Sequence, residues 1–251
     1  MNPHLYILTG ASRGMGLAMA EQLLQAGHTL LCISRQTHAA LEPLATTVGA
    51  TLTQWSQDLC DGVTASQRLT LWLQEQAHTA WGSVTLINNA GVIPRIGPMS
   101  QADAADLGNA LRVGLEAPMQ LTAAFLQATD AWSMPRKVLN ISSGLGRRAM
   151  ASQAGYCAAK AGMDHFTRCL ALEEALKPQG AKVCSLAPGV IDTDMQIQLR
   201  GADAKAFPDQ SGFIQLKASG QLTSPTEAGT RVLAFLNRPD FGDNPVADIR
   251  D

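Results

Sequence analysis

The feature that most constrains the fold of this chain is its first change of periodicity. His4 to Thr9 is a short apolar run, Gly10-Ala-Ser12-Arg13-Gly14-Met15-Gly16 follows, and an apolar-periodic segment runs on to Ala26. Strand, glycine turn and helix in that order place the free N–H groups of a helix N-terminus above the end of a strand. That arrangement receives the pyrophosphate of a dinucleotide. Small residues are needed because the backbone must turn tightly and approach the phosphates closely. The spacing Gly-x-x-x-Gly-x-Gly is one residue longer than the usual dinucleotide fingerprint. Gly10, Ser12, Arg13, Gly14, Met15 and Gly16 are the first candidate cofactor contacts.

The pattern then repeats. His28 to Ser34 reads as a second strand ending in Ser34-Arg35. An acidic residue at this point would bond the ribose hydroxyls of NAD, whereas an arginine accommodates the 2′-phosphate of NADP. Arg35, with Arg13 as a second clamp and Ser34 as a lesser one, favours NADP(H). A helix is expected over Ala39–Val48 and a third strand over Ala50–Trp55. Asp58-Leu59 comes next, where it suits the adenine edge, although Asp58 equally suits a cap for the helix beginning near Thr64. Ser83 to Ile87 is a continuous apolar run, as in a strand covered on both faces. It breaks at Asn88-Asn89-Ala90-Gly91. Asn88 reads as a tie between strands, and Asn89, Ala90 and Gly91 are candidate cofactor contacts, Ala90 and Gly91 leaving room for a ribose.

Gln101 to Thr129 is helical in pattern, with Pro118 expected to bend it. Val138 to Ser142 is the fifth strand and brings up Ser143. The next helix, Gln153 to Lys177, carries Tyr156 and Lys160 on one face, one turn apart. A phenol has a reference pKa of about 10, and a cation one turn away favours the phenolate and pulls that value down. A hydroxyl, a tuned phenol and a lysine can give a proton to a carbonyl oxygen as it becomes an alkoxide. They cannot supply a hydride, so a cofactor must. Lys182 to Ala187 is the sixth strand, ending in Pro188-Gly189-Val190, whose backbone suits a nicotinamide carboxamide, with Thr193 as a further cofactor contact. Asp194 to Gly220 reads as a long irregular lid or binding loop with Met195 among its apolar residues. A helix over Thr226–Asn237 and a short strand near Val246 complete the pattern.

Strands alternating with helices imply an α/β fold. The expectation is a doubly wound, seven-stranded parallel sheet with helices on both faces and ligands at the carboxyl ends of the strands. No linker or repeat interrupts the 251 residues, so one domain over 1–251 is expected, with 194–220 as its substrate-binding segment. A composition 46% hydrophobic and 16% charged provides a core, and a net charge of −2 gives no reason to expect nucleic acid or an anionic membrane as partner. Five scattered cysteines suit free thiols in a reducing compartment, and no histidine reads as a metal ligand. Met1 to Thr9 has no basic leader and no apolar run reaches membrane-spanning length, so a cytoplasmic protein is expected.

Taken together, Thr9–Gly16, Asn88-Asn-Ala-Gly91, Ser143, Tyr156-x-x-x-Lys160 and Pro188-Gly189 resemble the short-chain dehydrogenase/reductase family over essentially the whole chain. Leu86–Gly91, Ala117-Pro118-Met119, Ala187–Gln196, Leu222–Pro225 and Asp248-Ile-Arg-Asp251 are most similar to its sepiapterin reductase and benzil reductase branch. The resemblance implies a Rossmann fold and bound NADP(H). It makes Tyr156 the proton donor, Ser143 the holder of the substrate carbonyl, and Lys160 the group that binds the nicotinamide ribose and lowers the tyrosine pKa. Tyr156 and Lys160 then count among the cofactor contacts. Gly189, Met195 and the pterin-anchoring position Asp248 join Ser143 and Tyr156 on the substrate side. The implied reaction is reduction of a 1,2-diketone or a pterin side-chain diketone. Reduction of a 3-oxoacyl thioester, sugar or steroid ketone is the alternative, as is an NADPH-binding regulatory protein. The resemblance also implies a homodimer or homotetramer formed through the helices of Gln101–Thr129 and Gln153–Lys177. One departure stands out: where the family has a helical asparagine that holds a water, this chain has Gly114.

Overall fold

The computed structural model describes residues 3–76 and 80–251; Met1 and Asn2, the start of the stretch expected to carry no basic leader, lie outside the described residues. Alternation inside each strand decides the architecture. In β1 (His4–Thr9) Leu5 and Ile7 enter one apolar cluster while Tyr6 and Leu8 enter another. Successive side chains of a strand point to opposite faces, so a strand buried at every position must be covered on both. β2 (Thr29–Ser34), β4 (Ser83–Asn88), β5 (Arg136–Ile141) and β6 (Lys182–Ala187) divide their residues in the same way. With β3 (Thr51–Ser56) and β7 (Val246–Asp248) they form one parallel seven-stranded sheet in the order β3-β2-β1-β4-β5-β6-β7. The order reverses between β1 and β4, where a ligand crevice opens in sheets of this kind.

Helices α1 (Gly14–Leu23), α2 (Leu41–Val48) and α9 (Pro225–Leu236) pack on one face. On the other lie α3 (Gly62–Gln76), α5 (Ala117–Thr129) and α6 (Ala154–Ala175). Local chemistry sets their ends. Ser224 accepts the Glu227 N–H ahead of Pro225 at the start of α9, and left-handed Gly49 closes α2.

Two expectations change. The helix foreseen over Gln101–Thr129 is divided into α4 (Ala104–Leu111), a π-helical turn over Arg112–Glu116, and α5. Pro118 has no N–H to give the Gly114 carbonyl, so the ladder loosens in the turn before the proline. The segment Asp194–Gly220 is largely helical rather than irregular: α7 (Asp194–Arg200) and α8 (Gln210–Ala218) pack together. Met195 and Leu199 give α7 its i,i+4 apolar pair, and Phe207 stacks on Phe213.

Among the described residues no helix is long and apolar enough to cross a membrane, and no cluster of three or more His, Cys, Asp or Glu could hold a metal. The five cysteines are free: Cys32 and Cys184 are buried, Cys60 and Cys157 half-buried, and Cys169 exposed.

Candidate active site

A cavity of about 1220 Å³ opens at the carboxyl ends of the strands, and every site residue selected from the sequence lines it. Its floor is the glycine turn. Gly10 and Gly14 have φ of +70° and +56°, where a side chain is strained. At Gly16 a Cβ would fall 2.0 Å from the Gly10 carbonyl oxygen, so no other residue fits there. Arg13, at the N-cap of α1, makes no side-chain capping bond, and the first turn of α1 holds no acid. The helix therefore presents uncapped N–H groups above a cradle narrow enough for a phosphate backbone, and a dinucleotide pyrophosphate fits both features.

The floor is tied to the switch point. Thr9 Oγ1 accepts the N–H groups of Asn89 (2.9 Å) and Ala90 (3.0 Å), and Asn89 Nδ2 donates to the carbonyls of Thr9 and Gly10. Beneath it, Asn88 Nδ2 donates to Thr122 Oγ1 and to Asn140 Oδ1, and Asn140 Nδ2 donates to Thr167 Oγ1. Asn88 thus joins β4 to β5 and α5, as its position suggests.

Three cofactor candidates have other duties here. Ser34 is buried and its hydroxyl accepts the Ala11 N–H, so it braces the glycine turn rather than standing free beside a phosphate. Asp58 accepts the Cys60 N–H in a local turn, while Asp61 bonds the Thr64 N–H at the start of α3, a capping role that fell to its neighbour three residues on. Arg13 pairs with Asp194. Arg35 is exposed at the cavity edge, Leu59 is buried in its wall, Gly91 lies beside Lys160, and Gly189 has φ of +85°. Pro188, Val190, Thr193 and Met195 continue the wall from the end of β6 into α7, with the Thr193 methyl 3.4 Å from where a Gly14 Cβ would stand.

Ser143, just past β5, and Tyr156 and Lys160, in the first turns of α6, converge on the same space. Lys160 Nζ donates to the Ile141 carbonyl at 2.7 Å and lies 5.8 Å from the centre of the Tyr156 ring. Burial pushes the Tyr156 phenol up to about 12, opposed by hydrogen bonding from Ser143. Burial also brings Lys160 down to about 8, opposed by the Asp164 carboxylate. This reverses the expected effect of lysine on tyrosine. Loss of solvent outweighs an ammonium one turn away and favours the protonated phenol.

Sequence reasoning missed several neighbours. Asp164, one turn beyond Lys160, is 1% exposed, accepts the Ser185 hydroxyl at 2.6 Å and faces Arg147 Nε at 3.3 Å. Its i+4 spacing from Lys160 was the available signal. Gln153 and Gln196 bring buried, unpaired amide atoms to the cavity wall. Asp248 lines the cavity, but Arg250 chelates its carboxylate through two 2.7 Å contacts. Gly114 sits in the π-helical turn, where a Cβ would stand 3.2 Å from Ala159 Cβ. Asn109, on α4, is occupied by Cys60, whose thiol donates to its Oδ1.

These features meet known proteins at every level compared. The family model described as short chain dehydrogenase matches residues 4–204. Benzil reductase ((S)-benzoin forming) of Bacillus cereus is 34% identical over 243 residues, covering 97% of this chain and 98% of that protein. Sepiapterin reductase of Bos taurus is 30% identical, covering 98% and 94%. A short-chain dehydrogenase/reductase structure from Burkholderia vietnamiensis, 33% identical, superposes with a TM-score of 0.66 over 99% of this chain and 97% of that one. A 3-oxoacyl-[acyl-carrier protein] reductase from Brucella melitensis, solved in complex with NAD, shares the fold at 23% identity with a TM-score of 0.80, covering 99% and 96%. The chain is a member of the short-chain dehydrogenase/reductase family and an oxidoreductase that uses a nicotinamide cofactor.

Proposed function

We propose that this enzyme is an NADPH-dependent reductase of 1,2-diketones, of the benzil or pterin side-chain type. The observation that carries the reading is the convergence of Ser143, Tyr156 and Lys160 in the cavity that the glycine turn floors. Relatives acting on benzil and on sepiapterin, at 34% and 30% identity over nearly the whole chain, support the diketone. Adjacent carbonyls also activate each other toward a nucleophile. Arg13 and Arg35, with no acid at the end of β2, support NADP(H).

In this reading the glycine turn from Gly10 to Gly16 holds the pyrophosphate, Asp58 and Leu59 flank the adenine, and Asn89, Ala90 and Gly91 line the ribose pocket. Pro188, Gly189, Val190 and Thr193 face the nicotinamide, which when bound supplies a hydride. Ser143 donates a hydrogen bond to the substrate carbonyl and fixes its oxygen beside Tyr156. The phenol, held protonated by burial, gives its proton to that oxygen as charge develops there. Lys160, fixed on the Ile141 carbonyl, keeps a positive charge near the phenolate that remains. Gly189, Met195 and Asp248 border the substrate.

We further read residues 1–251 as one domain, with 194–220 covering the substrate, in a cytoplasmic homodimer or homotetramer. The π-helical turn at Gly114 favours turnover over a purely regulatory role. Pro118 has no N–H for the Gly114 carbonyl, which in this reading holds a water in place of the asparagine side chain. A diketone panel with NADPH and NADH in parallel tests the reading. Tyr156→Phe is expected to cost about 10²–10⁴-fold in rate with NADPH binding retained. Equal rates in the two proteins would remove Tyr156 from the chemistry.

A further inference from the structure

Gln153 stands three residues before Tyr156, at the N-cap of α6, and is 1% exposed. Both of its amide atoms, Oε1 and Nε2, are buried without a hydrogen-bond partner, and the residue lines the cavity that holds Ser143 and Tyr156. An unpaired buried polar group costs about 1–3 kcal/mol. Buried side-chain amides are paired in the large majority of cases. Capping does not account for this one, because its side chain bonds no N–H of α6.

The backbone that presents it is strained as well. Ser152 has φ of +63°, the only left-handed residue other than glycine among the described residues. Such a conformation costs on the order of 1–3 kcal/mol and persists only when neighbours enforce it. They do so here from two sides. Ser152 Oγ donates to the Ala206 carbonyl in the segment between α7 and α8, and its own carbonyl accepts the Gly97 N–H.

Three polar groups of the same cavity are committed. Ser143 Oγ accepts the Leu145 N–H and serves the phenol, Lys160 is bonded to Ile141, and Asp248 is held by Arg250. Ser142 Oγ, Gln196 Oε1 and Arg200 Nη1 are the other buried unpaired polar atoms among the described residues of the cavity, and Gln153 offers both an unused donor and an unused acceptor of its amide. Bulk water cannot satisfy it, since its polar atoms expose almost no surface. The terminal torsion of a glutamine is soft, so a small rotation turns the amide toward a ligand seated in the cavity.

We propose that Gln153 is a specificity determinant that donates its Nε2–H to the second oxygen of a 1,2-dicarbonyl substrate while the first oxygen meets Ser143 and Tyr156. The inference rests on the diketone reading above and adds the residue that distinguishes a diketone from a simple ketone. A ligand lacking the second oxygen leaves the amide unpaired and loses that contact.

The test compares benzil with deoxybenzoin, which has one carbonyl, in the wild type and in Gln153→Met, with NADPH. The expected result is a fall of about tenfold or more in kcat/KM for benzil and a change of less than about twofold for deoxybenzoin. If deoxybenzoin is not turned over, its inhibition constant against benzil takes the place of its kcat/KM. An unchanged ratio between the two ligands would overturn the proposal. So would an equal loss on both, which is what a merely structural side chain gives. Should Gln153→Met fail to fold, a crystal of the wild-type protein with NADP⁺ and benzil decides. The Gln153 amide nitrogen is expected within hydrogen-bond reach of the second oxygen, and an amide turned away from it overturns the proposal. A wild-type protein that reduces simple ketones but no 1,2-diketone removes the function proposed above. That outcome is distinct from a diketone reductase whose ratio Gln153 does not move.

Discussion

Arg13 of the glycine turn pairs with Asp194, the first residue of α7, at 2.9 Å across the mouth of the cavity. Both side chains are about two-thirds exposed, at 67% and 66%. An ion pair this wet contributes at most about 1 kcal/mol. A 2′-phosphate carries more charge than a carboxylate and suits the guanidinium fork. Arg13 is therefore expected to leave Asp194 when NADPH binds. Arg13→Ala should weaken NADPH binding by about tenfold and leave NADH nearly unchanged, whereas Asp194→Asn should tighten NADPH by a few fold. Titration of nicotinamide fluorescence at low and high salt measures both, and the difference should shrink as salt rises. Equal effects on the two coenzymes would take Arg13 away from the 2′-phosphate.

Asp164 opposes the effect of burial on Lys160. Its carboxylate raises the lysine against burial, which brings the ammonium down to about 8. Removing that negative charge leaves burial unopposed, so in Asp164→Asn the lysine gives up its proton at lower pH. The alkaline limb of kcat/KM is expected to move to lower pH, while the rate on the acid side is kept. A uniform loss at every pH would mean that Asp164 acts only by bracing Ser185 and Arg147.

Gly114→Asn should not improve the enzyme. A Cβ at that position already stands 3.2 Å from Ala159, the neighbour of Lys160. The larger side chain must push α6 away from the π-helical turn, and overpacking of this kind costs about 1–3 kcal/mol. A lower melting temperature with unchanged or reduced kcat is the expected outcome. A gain in kcat would restore the amide side chain to the proton path.

Asn88→Ala should destabilise the sheet without touching the chemistry. It strands Thr122 and Asn140 in a fully buried ladder. The loss of partners and the space left behind are worth about 2–4 kcal/mol. For a chain of this size that lowers the melting temperature by roughly 5–15 °C. Calorimetry with and without NADPH checks it, and a shift of under a degree would make the ladder incidental.

Three strands, β1, β4 and β6, could be read most directly from the sequence because each is an apolar run closed by Gly10, Asn88 or Pro188. The position of the crevice followed once those closures were seen to fall at one end of the sheet. What escaped depended on residues brought together only by folding. Arg13 and Asp194 are 181 positions apart, and nothing local announces their pairing. The helices of residues 194–218 are short and weakly patterned, and contact with each other settles them. The direction of the Tyr156 shift turns on burial, which an i+4 spacing does not report. Gln153 is in the sequence an ordinary first residue of a helix, and nothing local reports that its amide is left unpaired.

The bracing of the glycine turn by Thr9, Asn89 and Ser34 has a consequence for how such an enzyme could change its diet. With the coenzyme's bed riveted to two strands and a bend, accommodation of a new ketone falls, in the reading proposed above, to the roof that α7 and α8 provide. Swapping that roof between relatives, with Asp194 kept in place, should transplant appetite for one carbonyl or another and leave the reducing partner as it was.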